Sequence, residues 1–122
     1  MNNSFSQTMA TNQQDYVKEN PVDANGNTEK LFSGPTYTMS NGANTGNAFA
    51  GTLTPDADNL GVTVKPAATD VDTFTLTITA EADPTPGVNT LTDTVVYTIT
   101  APEDVTLGTV VNAPTAQPTT TN

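Results

Sequence analysis

The sequence predicts a small all-β protein: an antiparallel sandwich with an extended N-terminal arm and a polar C-terminal tail. Three observations predict it. Between residues 31 and 112 the apolar residues recur with a period of two, the spacing of a half-buried strand. Clusters of Gly, Pro, Asn and Asp break that pattern every ~8–12 residues, as turns do between short strands. Almost nowhere do apolar residues return at helical spacing.

Residues 1–30 are rich in Asn, Gln, Ser and Thr, and their apolar residues (Phe5, Met9, Tyr16, Val17, Val22) hold no period of two. Thr11 and Gln14 fit a capping box, with Pro21 to end any helix begun there. At most two helical turns are expected, within an arm that is otherwise extended or without structure.

From Leu31 onward the period changes. Tyr37 and Met39 alternate with Thr36, Thr38 and Ser40, and a Gly- and Asn-rich hairpin connection follows from Asn41. Phe49, Gly51 and Leu53 share one side of the next strand, which Pro55 ends. Leu60, Val62 and Val64 share a side before Lys65-Pro66. The clearest strand runs from Thr73 to Ala82, with Phe74, Leu76, Ile78, Ala80 and Ala82 opposite Thr73, Thr75, Thr77 and Thr79. β-branched threonine suits the wet face of such a strand. After turn material at Asp83-Pro84-Thr85-Pro86-Gly87, Leu91, Val95, Tyr97 and Ile99 share a face of a second long strand. A last strand is expected to carry Val105, Leu107 and Val111, and residues 113–122 read as an extended tail without a core.

The pair of long strands, Asp72-Thr73-Phe74-Thr75-Leu76-Thr77-Ile78-Thr79-Ala80 and Thr92-Asp93-Thr94-Val95-Val96-Tyr97-Thr98-Ile99-Thr100, resembles the closing hairpin of immunoglobulin-like modules. Such modules occur in bacterial surface proteins and in tailed-phage virions. The resemblance implies a small immunoglobulin-like β-sandwich over residues 31–112. The chain departs from antibody-type domains in having neither cysteine nor tryptophan, and the stretch before the hairpin is short for a full strand set. A reduced or rearranged sandwich is expected.

Composition narrows the chemistry. Three lysines stand against thirteen carboxylates, with no arginine and no histidine, for a net charge of −10. A nucleic-acid partner is not expected, since binding needs clustered cations to displace phosphate counterions. Without cysteine or histidine there is no thiol nucleophile, zinc-cysteine site or Ser-His-Asp triad. Leu, Ile, Val and Phe total only 23 of 122 residues, which makes a thin core. No apolar run approaches the ~20 residues of a membrane-spanning helix. The N-terminus lacks the basic start and apolar stretch of a secretory signal, so use without export is expected, or a signal lying outside this sequence.

The acidic residues fall in pairs: Asp56 with Asp58, Asp70 with Asp72, Glu81 with Asp83, Glu103 with Asp104. Asp56-Ala57-Asp58-Asn59-Leu60-Gly61 opens like a calcium loop, but Leu60 and Ala67 stand where ligands belong. No metal and no cofactor is expected. Were calcium held between loops, as in cadherin-like sandwiches, Asp56, Asp58, Asp70 and Asp72 would be its ligands. Paired acids could also cleave glycosides, yet few aromatics are present to stack on sugar and no cleft is suggested, so no enzyme is expected.

The resemblance therefore points to a structural virion protein, similar to the decoration or cement proteins on the outside of tailed-phage capsids. Its expected partners are the major capsid protein and neighbouring copies of itself, with no nucleic acid and no membrane. It would be made in the host cytoplasm and carried on the virion surface. The arm would make the inter-subunit contacts through Phe5, Met9, Tyr16, Val17 and Phe32. An adhesion module of a bacterial surface protein is the main alternative. A filament subunit assembled by strand addition is another, although residues 1–20 lack the apolar alternation a donor strand needs.

Overall fold

The computed structural model describes residues 2–82, 90–103 and 107–118. Seven strands make up its regular structure: β1 (Asn2–Ala10), β2 (Asp15–Lys18), β3 (Ser33–Met39), β4 (Thr52–Pro55), β5 (Gly61–Lys65), β6 (Asp72–Glu81) and β7 (Thr90–Thr100). They form a four-stranded sheet in the order β1-β7-β6-β3 and a three-stranded sheet in the order β2-β5-β4. No helix occurs among the described residues.

The longest pairing is the one the alternation predicts. β6 and β7 run antiparallel from Asp72 opposite Ile99 to Glu81 opposite Thr90. Every second residue of β6, from Asp72 to Ala80, is buried, and the threonines between them are half-exposed. Phe74, Leu76, Ile78, Val95, Tyr97 and Ile99 meet Val62 and Val64 of the opposite sheet to form the core. Val95 takes the inward position and Val96 the outer face. Each large side chain fully buried here contributes about 1.5–3 kcal/mol. Phe49 meets Phe74 edge-on, with ring centroids 5.3 Å apart at 72°. Ala82 falls just beyond β6 and is exposed.

The strand order is that of an immunoglobulin-like sandwich. β2-β5-β4 occupies the places of strands B, E and D, and β7-β6-β3 those of G, F and C. The first strand lies beside the last one rather than beside the second. β1 and β7 are parallel, from Asn2 opposite Thr92 to Ala10 opposite Thr100, so the sandwich is not wholly antiparallel.

That placement corrects the reading of residues 1–30. Residues 2–10 and 15–18 are strands of the two sheets, not parts of a coreless arm. No helix forms at Thr11. The Ala10 carbonyl accepts the Gln13 N–H at 3.0 Å, and Gln13 Oε1 accepts the Ala10 N–H at 2.8 Å. Those two bonds close a single turn that carries the chain from one sheet to the other. The Gly- and Asn-rich segment after Met39 is likewise not a hairpin connection, because β3 and β4 belong to different sheets.

The expected last strand is corrected as well. Leu107, Val110 and Val111 are 97%, 83% and 87% exposed, and residues 107–118 join neither sheet. β7 already has β6 on one side and β1 on the other, so the chain leaving it finds no free neighbour. Val105 and the Asp83–Gly87 turn lie outside the described residues.

Candidate functional site

β1 and β2 are edge strands of opposite sheets, and the seam between them is open. A groove of about 320 Å³ runs along it, with Phe5 on the β1 side, Tyr16 and Val17 on the β2 side, and Ile78 and Val95 beneath. Phe5 is 54% exposed and Tyr16 49% exposed, so two aromatic rings flank the mouth. Val17 packs against the core, being the inward residue of a short strand with a half-buried, exposed alternation. Met9, expected to contact a partner, is instead 5% exposed and part of the core, opposite Ile99. Phe32 is exposed but stands apart, bonded through its N–H to the Glu81 carbonyl at 2.9 Å. Of the five partner-contact residues, Phe5, Tyr16 and Val17 are therefore brought together.

Two further residues belong to the seam. Asp93 sits at an inward position of β7, two residues from Val95, and Glu19 follows β2 directly. The two carboxyls lie close together, and Asp93 Oδ1 accepts the Asn3 N–H at 3.1 Å. Both border a second cavity of about 440 Å³ whose wall includes Val22, Leu31, Ile78 and Leu91. Desolvation, and then the Asp93 charge, push the Glu19 carboxyl up to about 7. Lys18 and Asp23 are the other charged groups lining these two spaces. Sequence reasoning missed Asp93, whose signal is a carboxylate on the apolar side of a period-two strand. Its partner, which comes from the other sheet, has no such signal.

This pair sets a pH dependence. A carboxyl whose pKa is raised on folding binds its proton more tightly in the native state. Its stabilisation is complete below the unfolded value of about 4.3 and is lost as pH rises through about 7. Because Glu19 is half-exposed, solvent screening holds the effect to about 1 kcal/mol. The melting temperature should fall by about 3–6 °C between pH 5.5 and pH 8. Glu19→Gln, which mimics the protonated form, should remove that fall; an unchanged slope in this variant would dismiss the pair as its source.

The four carboxylates named as calcium ligands all accept hydrogen bonds within the chain. Asp70 accepts the N–H groups of Ala50, Gly51 and Ala67 at 2.9, 2.9 and 2.7 Å. Asp72 accepts the Thr45 hydroxyl at 2.5 Å and the N–H groups of Asn44, Thr45 and Thr73. The Thr45 hydrogen bond leads the effects that hold Asp72 down at about 2. Gly42 lies against this carboxylate, where a Cβ would collide with it. Asp56 accepts the Tyr16 hydroxyl, a bond that raises the phenol's pKa, and Asp58 accepts the Leu60 N–H at 3.0 Å. Among the described residues no three carboxylates gather where a cation could sit. The Asp70 and Asp72 oxygens are already engaged as acceptors in stapling loops to the β6 entry.

Hydroxyls also tie the sheets together. Tyr97, fully buried on β7, donates to Asp15 Oδ2 of β2 at 2.8 Å. Burial and that carboxylate both raise its pKa. Tyr37 of β3 donates to the Asn59 carbonyl at 2.8 Å, and burial, the largest cause, pushes its phenol up to about 12.

Fold and site together define a small all-β sandwich with an open, aromatic-flanked seam at one side. Neither a protein-family model nor a curated protein matches the chain.

Proposed function

We propose that the chain is a non-catalytic structural protein that takes its place in an assembly through the β1/β2 seam, as a decoration protein on the outside of a tailed-phage capsid. The observation that carries this reading is the seam itself. On a chain of net charge −10, Phe5 and Tyr16 present apolar surface beside an edge strand with no charged residue. Half-exposed aromatic rings over a desolvated floor are the usual anchors of a protein interface. The proposed partners are the major capsid protein and neighbouring copies, with localisation on the virion surface and no cofactor. The high negative charge would keep such a particle soluble and disfavours nucleic acid as a partner. The capsid assignment comes from the resemblance of the β6–β7 hairpin, and the seam supplies its contact surface.

Phe5→Asp tests the reading. The substitution places a charge at a half-exposed site, so the melting temperature should move by less than about 5 °C. Copies per particle, counted by quantitative gel analysis of purified virions, should drop at least about tenfold, as for loss of an anchor worth over ~1.4 kcal/mol. Incorporation equal to that of the unaltered protein would remove the seam from the assembly contact. Recovery from cell envelopes rather than particles would favour the adhesion-module reading.

A further inference from the structure

Among the described strands, four form sheet edges, and three of them are guarded against further pairing. β2 has four residues, two of them charged (Asp15 and Lys18). β4 also has four and ends at Pro55, which offers no N–H. β3 carries Pro35 and a register break between Ser33 and Thr36. β1 differs on every count: nine residues without charge, proline or glycine, in unbroken register with β7. Long, regular, neutral edges are templates for another strand.

The chemistry of that edge can be specified. Thr11 donates to the Thr100 carbonyl on the β7 side, while the Ala10 N–H turns to Gln13. By strand alternation the N–H groups of Ser4, Ser6 and Thr8 face away from β7 and stand free to pair. A strand added there would lay every second side chain over the groove between Phe5 and Tyr16.

The chain also contains a segment patterned as a strand, whose described residues, 107–118, join neither sheet. Val105, Leu107 and Val111 fall on one side by alternation, and the described ones are almost fully exposed. From Val105 to the end of the sequence there is no charged residue, in a chain of net charge −10. Such a stretch can approach an acidic neighbour with little repulsion. We infer that the segment carrying Leu107 and Val111 of one copy adds as a strand to the β1 edge of a second copy, seating those two side chains in the groove beside Phe5 and Tyr16. The inference rests on the assembly role proposed for the seam and names its occupant. In each copy the donor and the acceptor are different surfaces, so the contact is head-to-tail and leaves both ends free to continue.

Two variants of the full chain test it, in solution and without any capsid. Leu107→Asp/Val111→Asp alters the donor at exposed positions, and Phe5→Asp alters the acceptor. The unaltered chain should gain mass with concentration in light scattering, whereas each variant alone should remain monomeric. Mixing the two should give a one-to-one heterodimer and nothing larger, since one copy keeps a working donor and the other a working acceptor. An unaltered chain that stays monomeric at millimolar concentration overturns the inference. So does a donor variant that associates as strongly as the unaltered chain, which would indicate symmetric pairing of β1 with β1. A mixture without heterodimer overturns it too. Particle incorporation of the donor variant at full level, alongside any of those results, would leave the capsid reading standing and retire this one.

Discussion

Replacing Ile78 by Asp is expected to unfold the protein at neutral pH. Ile78 lies mid-β6, buried between Tyr37 of β3 and Asp93 of β7. A carboxylate at this position would be desolvated at a cavity already lined by Glu19, Asp23 and Asp93, making a fourth acid there, with Lys18 the one cation lining the adjoining groove. An unpaired buried charge costs several kcal/mol, comparable to the whole stability of a small domain, about 5–15 kcal/mol. Ile78→Val, which removes one methylene and adds no charge, should cost only about 0.5–1.5 kcal/mol. Urea unfolding of both variants separates the two costs. An Asp variant whose midpoint matches that of the Val variant would mean that residue 78 does not face the core.

Asp70→Ala is the second large effect. The carboxylate is almost fully buried, yet it accepts three backbone N–H groups: those of Ala50 and Gly51 before β4, and of Ala67 after β5. Alanine would strand these donors away from water at about 1–3 kcal/mol each, so a loss of about 3–5 kcal/mol is expected after partial relaxation. Asp70→Asn retains one acceptor oxygen and should lose roughly half as much. Amide hydrogen exchange should accelerate first at Ala50, Gly51 and Ala67. If stability instead falls only when a chelator is added to the unaltered chain, Asp70 serves a cation and not these loops.

Much of the sandwich was readable from local pattern. Alternation over Thr73–Ala82 and Leu91–Thr100 identified the central hairpin because both strands bury one face along most of their length, so burial is written at every second residue. Val62 and Val64 revealed β5 for the same reason. β1 was illegible because an edge strand that buries Met9 alone among its apolar residues carries almost no periodic signal. Its partner, β7, lies at the opposite end of the sequence, where no local pattern can point to it. The candidate site divides in the same way. Phe5 and Tyr16 stood out as large aromatics in a polar stretch, while Glu19 gains its significance only when the second sheet brings it against Asp93.

By itself the sequence determined the class: an acidic all-β chain without the side chains of thiol or imidazole chemistry, whose strongest strands pair as a hairpin. Only the tertiary structure decided which segments became strands at the margins. Residues 2–10 have a weak pattern and pair, because β7 offers them a free edge. The segment carrying Leu107 and Val111 has the stronger pattern and stays outside both sheets, because that same edge is occupied. Strand propensity is local, but a strand is completed by a neighbour's hydrogen bonds, and each strand has only two sides to give.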